Sequence, residues 1–402
     1  MLSRQFLTWA DRASAGERAD AARDLARAFL YAEVDRVEAG ELERAMTCLL
    51  DDASPLVRRA LAEALAGAAH APPHLVSALA SDQPDIAALV LERSPILSDA
   101  ELIDAAALGE TRAQSAIAAR PGLSAAVAGA LAEVASRDAV LVLCANHDAV
   151  LAEVSFRRIL ERFGPDGDIR ETLGRRADLD ASRRYDLVVA TAEALDAFVA
   201  ACGWMSPERA RRLRDEAGAR AAVALAAEED GPGTLRLMGH LRRSGHLTPA
   251  LVLRALMSGE IAFFEAALAE LSGQALNRVA GLVGRPEGLA FEALVRSAGL
   301  PQGLLPAIRA ALDGRRAAEP AGQRRLRRDA VARALACYAA GGHLPVAGLT
   351  ALLRRFEAEA ARDEIRAAPD RAAPGPGRPV PAAAPQRIEP RFDPVLDLAV
   401  AA

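Results

Sequence analysis

The sequence predicts an all-α protein, a curved stack of short antiparallel helix pairs, and three observations carry that expectation. Hydrophobic residues make up 51% of the 402-residue chain but aromatics only 4%, so Ala, Leu and Val supply the apolar surface. Ala and Leu lose little entropy in a helix, whereas a β-sandwich or barrel calls for more aromatic and β-branched side chains. Turn signals recur at intervals of under thirty residues, each followed by apolar positions three and four apart, which is the spacing of one helix face. No apolar run reaches eighteen residues, so a membrane-spanning helix is not expected.

Taken in order, Ser14-x-x-Glu17 is a capping box, and Ala22, Leu25, Ala26, Phe29 and Leu30 come after it at helical spacing. A helix that buries one stripe should start there and cap the N-terminal end of the stack. From about residue 42 the punctuation becomes periodic: Pro55 introduces Leu61 and Leu65, Pro84 introduces Leu89 and Val90, and Thr111 introduces Ala116 and Ile117. A second landmark keeps step with the first. Arg93-Ser-Pro-Ile-Leu-Ser98 is echoed by Arg120-Pro-Gly-Leu-Ser124 and more faintly by Asn146-His-Asp-Ala-Val-Leu151.

Such units must stack. Ordering about 27 residues costs on the order of 40 kcal/mol at roughly 1.5 kcal/mol per residue, which requires about 1,600 Å² of apolar burial at ~25 cal/mol/Å². One helix pair cannot bury that much by itself, so neighbours have to cover its second face, the condition that defines a solenoid.

The pattern Asp52-x-x-Pro55-x-Val57-Arg58, continued by Ala60, Ala64 and Leu65, resembles the core of HEAT-like repeats. The resemblance implies that Asp and Arg brace the turn within a repeat and that Pro starts a helix. It spans roughly residues 42–163 and erodes after the first unit, where Asp82 and Pro84 persist without the Val-Arg pair. Phe163-Gly-Pro-Asp-Gly-Asp168 then reads as a loop, and longer helices come after it. Tyr185, Val188, Val189, Ala192, Leu195, Phe198 and Val199 make one stripe, and Ser206-Pro207-Glu208 opens a second long helix.

Gly245-His246-Leu-Thr-Pro249 and Gly259-Glu-Ile-Ala-Phe263-Phe264 lead to a last stretch ending near Leu312. Together these residues resemble a bacterial family of HEAT-like-repeat proteins of unknown function, domain of unknown function 2336, best over residues 160–312. That resemblance implies a fold and no reaction. The expected division is an N-terminal array over 1–163, a helical region over 164–313, a further helix pair over 314–366 opened by Gly342-His343-Leu-Pro345, and a Pro/Ala-rich segment over 367–402 expected to be disordered. Within that last segment, Ile388 to Leu396 carries apolar residues suited to docking as a short linear motif.

The chemistry of the chain is bounded first by what it lacks. All 49 basic residues are Arg, which removes a Walker-type phosphate loop, a kinase nucleotide-anchoring Lys, a Ser-x-x-Lys nucleophile and any cofactor Schiff base. No Gly-x-Ser-x-Gly elbow and no His-Glu-x-x-His helix occurs. His70 with His74, and Cys144 with His147, are two-ligand fragments, whereas zinc wants three or four. Asp166, Asp168 and Glu171 lack the later ligands of a calcium loop, and paired His246 and His343 read as turn residues. No cofactor, no metal and no catalytic activity are expected.

The most functional-looking feature is a cluster of Arg315, Arg316, Arg324, Arg325, Arg327 and Arg328, able to hold phosphates bidentately if several face one way. It lacks the interleaved aromatics that stack on bases, and the formal charge of −5 gives no overall pull towards nucleic acid. Cys48, Cys144, Cys202 and Cys337 read as free thiols of a reducing compartment, and the N-terminus has no continuous apolar h-region. The expectation is a cytoplasmic, non-catalytic scaffold or adaptor that binds another protein in a regulatory role. A nucleic-acid-binding array using the Arg face, and an enzyme on a helical scaffold, are the two rivals.

Overall fold

A computed structural model describes residues 6, 8–316, 326–339 and 348–367. The segment 368–402, with its expected disorder and docking motif, and the Gly342–Pro345 opening lie outside the described residues. Among the described residues the chain is α-helical with no strand.

The N-terminal helices are α1 (Ala15–Tyr31), α2 (Arg36–Leu49), α3 (Pro55–Leu65), α4 (Pro73–Ala80), α5 (Pro84–Arg93), α6 (Asp99–Leu108), α7 (Thr111–Ala118), α8 (Ala125–Val134), α9 (Arg137–Ala145), α10 (Glu153–Phe163) and α11 (Gly167–Gly174). Their starts obey local chemistry. Ser14 and Glu17 form the expected capping box, with two further boxes at Asp35/Glu38 and Ser98/Glu101. Pro55, Pro73 and Pro84 open their helices, where the missing N–H costs nothing.

Alternate helices stack: α1, α3, α5, α7, α9 and α11 form one row, and α6, α8 and α10 belong to a second. This two-row layering makes the fold an all-α, solenoid-like helical repeat. Its core runs from Ala19 to Leu173 and includes Met46, Leu61, Leu75, Ile86, Ile117 and Phe156, each essentially inaccessible.

Polar side chains knit the rows at the helix ends, where the last carbonyls have no partner inside their own helix. Arg120 donates to the carbonyls of Leu91 (2.5 Å) and Ser94 (2.7 Å), and Asn146 to those of Ala118 (2.8 Å) and Arg120 (2.7 Å). Arg162 reaches Ala132 and Ala135 at 2.7 Å each, and Arg176 reaches Asn146 (2.7 Å) and Ala149 (2.9 Å). Each of these side chains therefore caps the helix two positions back, so a unit's ends are completed only by its neighbour.

An ion-pair ladder runs in parallel. Arg18 pairs with Asp52 (2.7 Å) and Arg58 with Asp82 (2.7 Å), while Arg58 also donates to the Asp52 carbonyl at 2.6 Å. Arg58 thus braces its own turn and grips the next unit as well.

The second half contains α12 (Ala181–Ala201), α13 (Pro207–Ala226), α14 (Gly231–Arg243), α15 (Pro249–Met257), α16 (Ile261–Ser272), α17 (Leu276–Val283), α18 (Leu289–Ser297), α19 (Leu305–Arg316), α20 (Arg328–Ala339) and α21 (Leu349–Ala367). Its core starts at Ala181, contains Phe263, Phe264 and Phe291, and ends at Ala360. The two cores divide between Leu173 and Ala181, so α11, just after the Gly-Pro-Asp-Gly loop, packs with the N-terminal array. Helix α12 touches both α10 and α14 and joins the rows across that division.

Candidate interaction site

Of the predicted Arg cluster, Arg324 and Arg325 lie outside the described residues. Arg315 and Arg316 end α19, with their side chains also outside. Arg327 and Arg328 are described, and each is engaged with a carboxylate. Arg327 pairs with Asp329 (3.0 Å) while its backbone N–H donates to the Met257 carbonyl (2.9 Å), and Arg328 pairs with Glu364 (3.2 Å). These two residues tie α20 to α15 and α21.

Several residues of the other candidate fragments find protein partners. His74 meets the Thr47 hydroxyl at 3.0 Å. Asp166 caps α11 and, with Asp168, is held by Arg137 at 2.7 and 2.5 Å. Glu228 and Glu229 face Arg184. No group of three metal-ligating side chains occurs among the described residues, and His343 lies outside them. The Cys144 thiol is buried beneath the array, which pushes its pKa up to about 12.

The sequence stripe on α12 behaves differently from a core stripe. Tyr185 is buried, but between Ala190 and Ala210 no residue is. Helices α12 and α13 are about twice as long as most of their neighbours and pair with each other. Their distal half therefore extends past the layers that bury their bases. It exposes Leu195 (60%), Phe198 (55%), Trp204 (71%) and Leu213 (47%), and Phe198 and Trp204 meet edge to face at 5.7 Å. Gly203, at φ +65°, makes the turn that brings Trp204 back over Phe198.

Charge at this end is uneven. Arg214 is paired with Asp196 at 3.3 Å, whereas Arg209, Arg211 and Arg212 have no carboxylate partner among the described residues. Arg211 and Arg212 donate only to the backbone carbonyls of Pro207 and Glu208, at 3.3 and 3.2 Å.

The base of the hairpin is polar and buried. A cavity of about 520 Å³ lies between α12, α13, α15 and α21, with Tyr185, Leu251, Leu352 and Phe356 among its walls. Burial pushes the Tyr185 hydroxyl above its ordinary range, and Asp186 and Asp215 add to the effect. Behind the cavity, Arg254 grips Glu359 through two bonds of 2.8 and 2.7 Å, both residues under 5% exposed, and Arg220 adds a third bond at 2.7 Å. Burial resists ionisation of Glu359, but the two guanidiniums outweigh it and hold the carboxyl below its usual value. Arg254 also lies over the Phe356 ring at 4.9 Å.

At the joint between the cores, His240 of α14 meets Asp186 of α12 at 2.6 Å, with Glu153 of α10 at 4.0 Å. The hydrogen bond to Asp186 is the main cause that raises the His240 pKa above 6.5; burial opposes it. Since the folded value is the higher one, protonated His240 contributes its full stabilisation below about pH 6.5, and that contribution disappears as pH rises through the folded value. We expect the urea midpoint to fall across that window, and His240→Gln to remove that part of the slope. A slope unchanged in the variant would contradict the assignment.

Fold and site together define a helical-repeat protein that carries a projecting two-helix arm. The chain belongs to the family of uncharacterised proteins conserved in bacteria (DUF2336), whose sequence pattern matches residues 86–341. The match begins in α5 and so takes in most of the N-terminal stack as well as the arm. No curated protein and no solved structure matches the chain. Among the described residues no helix is long and apolar enough to cross a membrane.

Proposed function

We propose that the chain is a non-catalytic scaffold or adaptor that binds another protein through the distal half of the α12–α13 hairpin, in a regulatory role in the cytoplasm. The observation that carries this is the absence of any buried residue between Ala190 and Ala210 in a stretch that presents Leu195, Phe198 and Trp204. Aromatic anchors of this kind dominate protein interfaces, and a contiguous apolar exposure at one end of an arm marks an interaction site better than scattered apolar residues do. The partner that fits is an acidic amphipathic helix, its apolar face on the hairpin and its carboxylates on Arg209, Arg211 and Arg212.

The nucleic-acid reading loses support at two of its own residues, because Arg327 and Arg328 already hold carboxylates. The test is a paired substitution. Phe198→Ser with Trp204→Ser should leave the melting curve nearly unchanged, since both side chains are exposed, while affinity for the partner retained by the wild-type chain falls about a hundredfold, at roughly 1.4 kcal/mol or more per anchor. Leu108→Ser with Leu289→Ser, exposed at 89% and 85% elsewhere, should retain the partner. Equal retention by both double variants would overturn the proposal.

A further inference from the structure

Resting on that reading of the hairpin, we infer that the chain carries its own competitor: segment 388–398 docks in cis on the distal α12–α13 hairpin, its acids on Arg209, Arg211 and Arg212 and its apolar residues on Phe198 and Trp204. Three observations converge on this occupant. The first is charge. The segment, Ile-Glu-Pro-Arg-Phe-Asp-Pro-Val-Leu-Asp-Leu, holds Glu389, Asp393 and Asp397 against a single Arg391. Its charge complements three hairpin guanidiniums, Arg209, Arg211 and Arg212, that have no carboxylate partner among the described residues.

The second is apolar complementarity, since Phe392, Val395, Leu396 and Leu398 alternate with those acids, and Leu195, Phe198, Trp204 and Leu213 stand exposed on the hairpin that carries the arginines. The third is reach. Arg355 stands opposite Glu216 and Glu359 opposite Arg220, so α21 and α13 run in the same direction and α21 ends level with the base of the hairpin. From there to Trp204 is about 30 Å at ~1.5 Å per helical residue. The twenty residues 368–387 span about 60 Å at ~3.1 Å each, twice the distance needed.

Tethering makes weak contacts sufficient, because a linker of this length presents the segment at an effective concentration on the order of 1 mM. An external acidic helix must then displace it, which makes the segment a threshold on partner binding.

The chain contains two tryptophans, so the full chain carrying Trp9→Phe reports on Trp204 alone. In that background Trp204 is covered, and Phe392→Ser with Leu396→Ser should shift its emission to the red and raise its quenching by acrylamide. Arg209→Glu, Arg211→Glu and Arg212→Glu should expose Trp204 in the same way, and adding Glu389→Arg, Asp393→Arg and Asp397→Arg should restore protection. Identical emission and quenching in all these chains would overturn the inference, as would protection that fades on dilution, the signature of a second copy as occupant. Either result leaves the Phe198/Trp204 partner-binding test untouched, so the two readings fail separately.

Discussion

Glu359→Ala will cost the protein about 3–5 kcal/mol, because it leaves the Arg254 guanidinium charged, buried and without its partner. Arg254 is 3% exposed, while Arg220, the other partner, is half-exposed and can re-solvate. The loss concentrates at α21, which Glu359 fastens to α13 and α15 across more than a hundred residues of sequence. Replacing the pair together, Arg254→Met with Glu359→Leu, should recover most of the loss, since apolar residues of similar volume remove the desolvation penalty along with the attraction. Urea denaturation read by circular dichroism measures both. A single variant as stable as wild type would mean that the carboxylate is not buried against Arg254 in solution.

Arg176→Ala is the second large effect, about 3–5 kcal/mol, reached by a different route. The Arg176 side chain is fully inaccessible and donates to the carbonyls of Asn146 and Ala149, with a longer contact to Cys144. Each buried carbonyl left without a donor costs about 1–3 kcal/mol. Its other partner, Asp178, is half-exposed and can be hydrated. Because Arg176 lies just past α11 and caps the end of α9, hydrogen exchange should accelerate in both helices together. Acceleration confined to α11 would contradict the cross-unit capping.

Much of the stack was legible in the sequence because helix starts are written locally. Pro55, Pro84 and Thr111 open helices where the punctuation places them, and the Ser14–Glu17 box forms as its spacing requires. The Arg120 and Asn146 landmarks were visible as a repeat, but their role was not. A side chain that donates to carbonyls some 26–29 residues back leaves no signal except its recurrence. Arg176 continues that recurrence thirty residues on, and extending the landmark would have found it.

The hairpin was harder to read because a stripe of Leu195, Phe198 and Val199 has the same spacing whether or not another helix covers it. Only the length of α12 and α13 relative to their neighbours hinted that their ends lack a third layer. Likewise the pairing of Arg254 with Glu359 joins α15 to α21, and no local pattern announces a contact 105 residues apart. The Arg cluster is conspicuous only by its density, which does not reveal that Asp329 and Glu364 pair with two of its members.

The central functional claim is that the end of the α12–α13 arm is where another protein sits. Its most direct test is a photo-crosslinking residue placed in cells at Phe198 or Trp204, and separately at the exposed positions Tyr31, Leu108 and Leu289. From the two arm positions one discrete intermolecular adduct is expected, mapped by mass spectrometry to an acidic amphipathic helix of the partner, beside an intramolecular adduct to segment 388–398, and none from the other three. Adducts of equal yield at all five positions, or a contact on a basic segment, would contradict it.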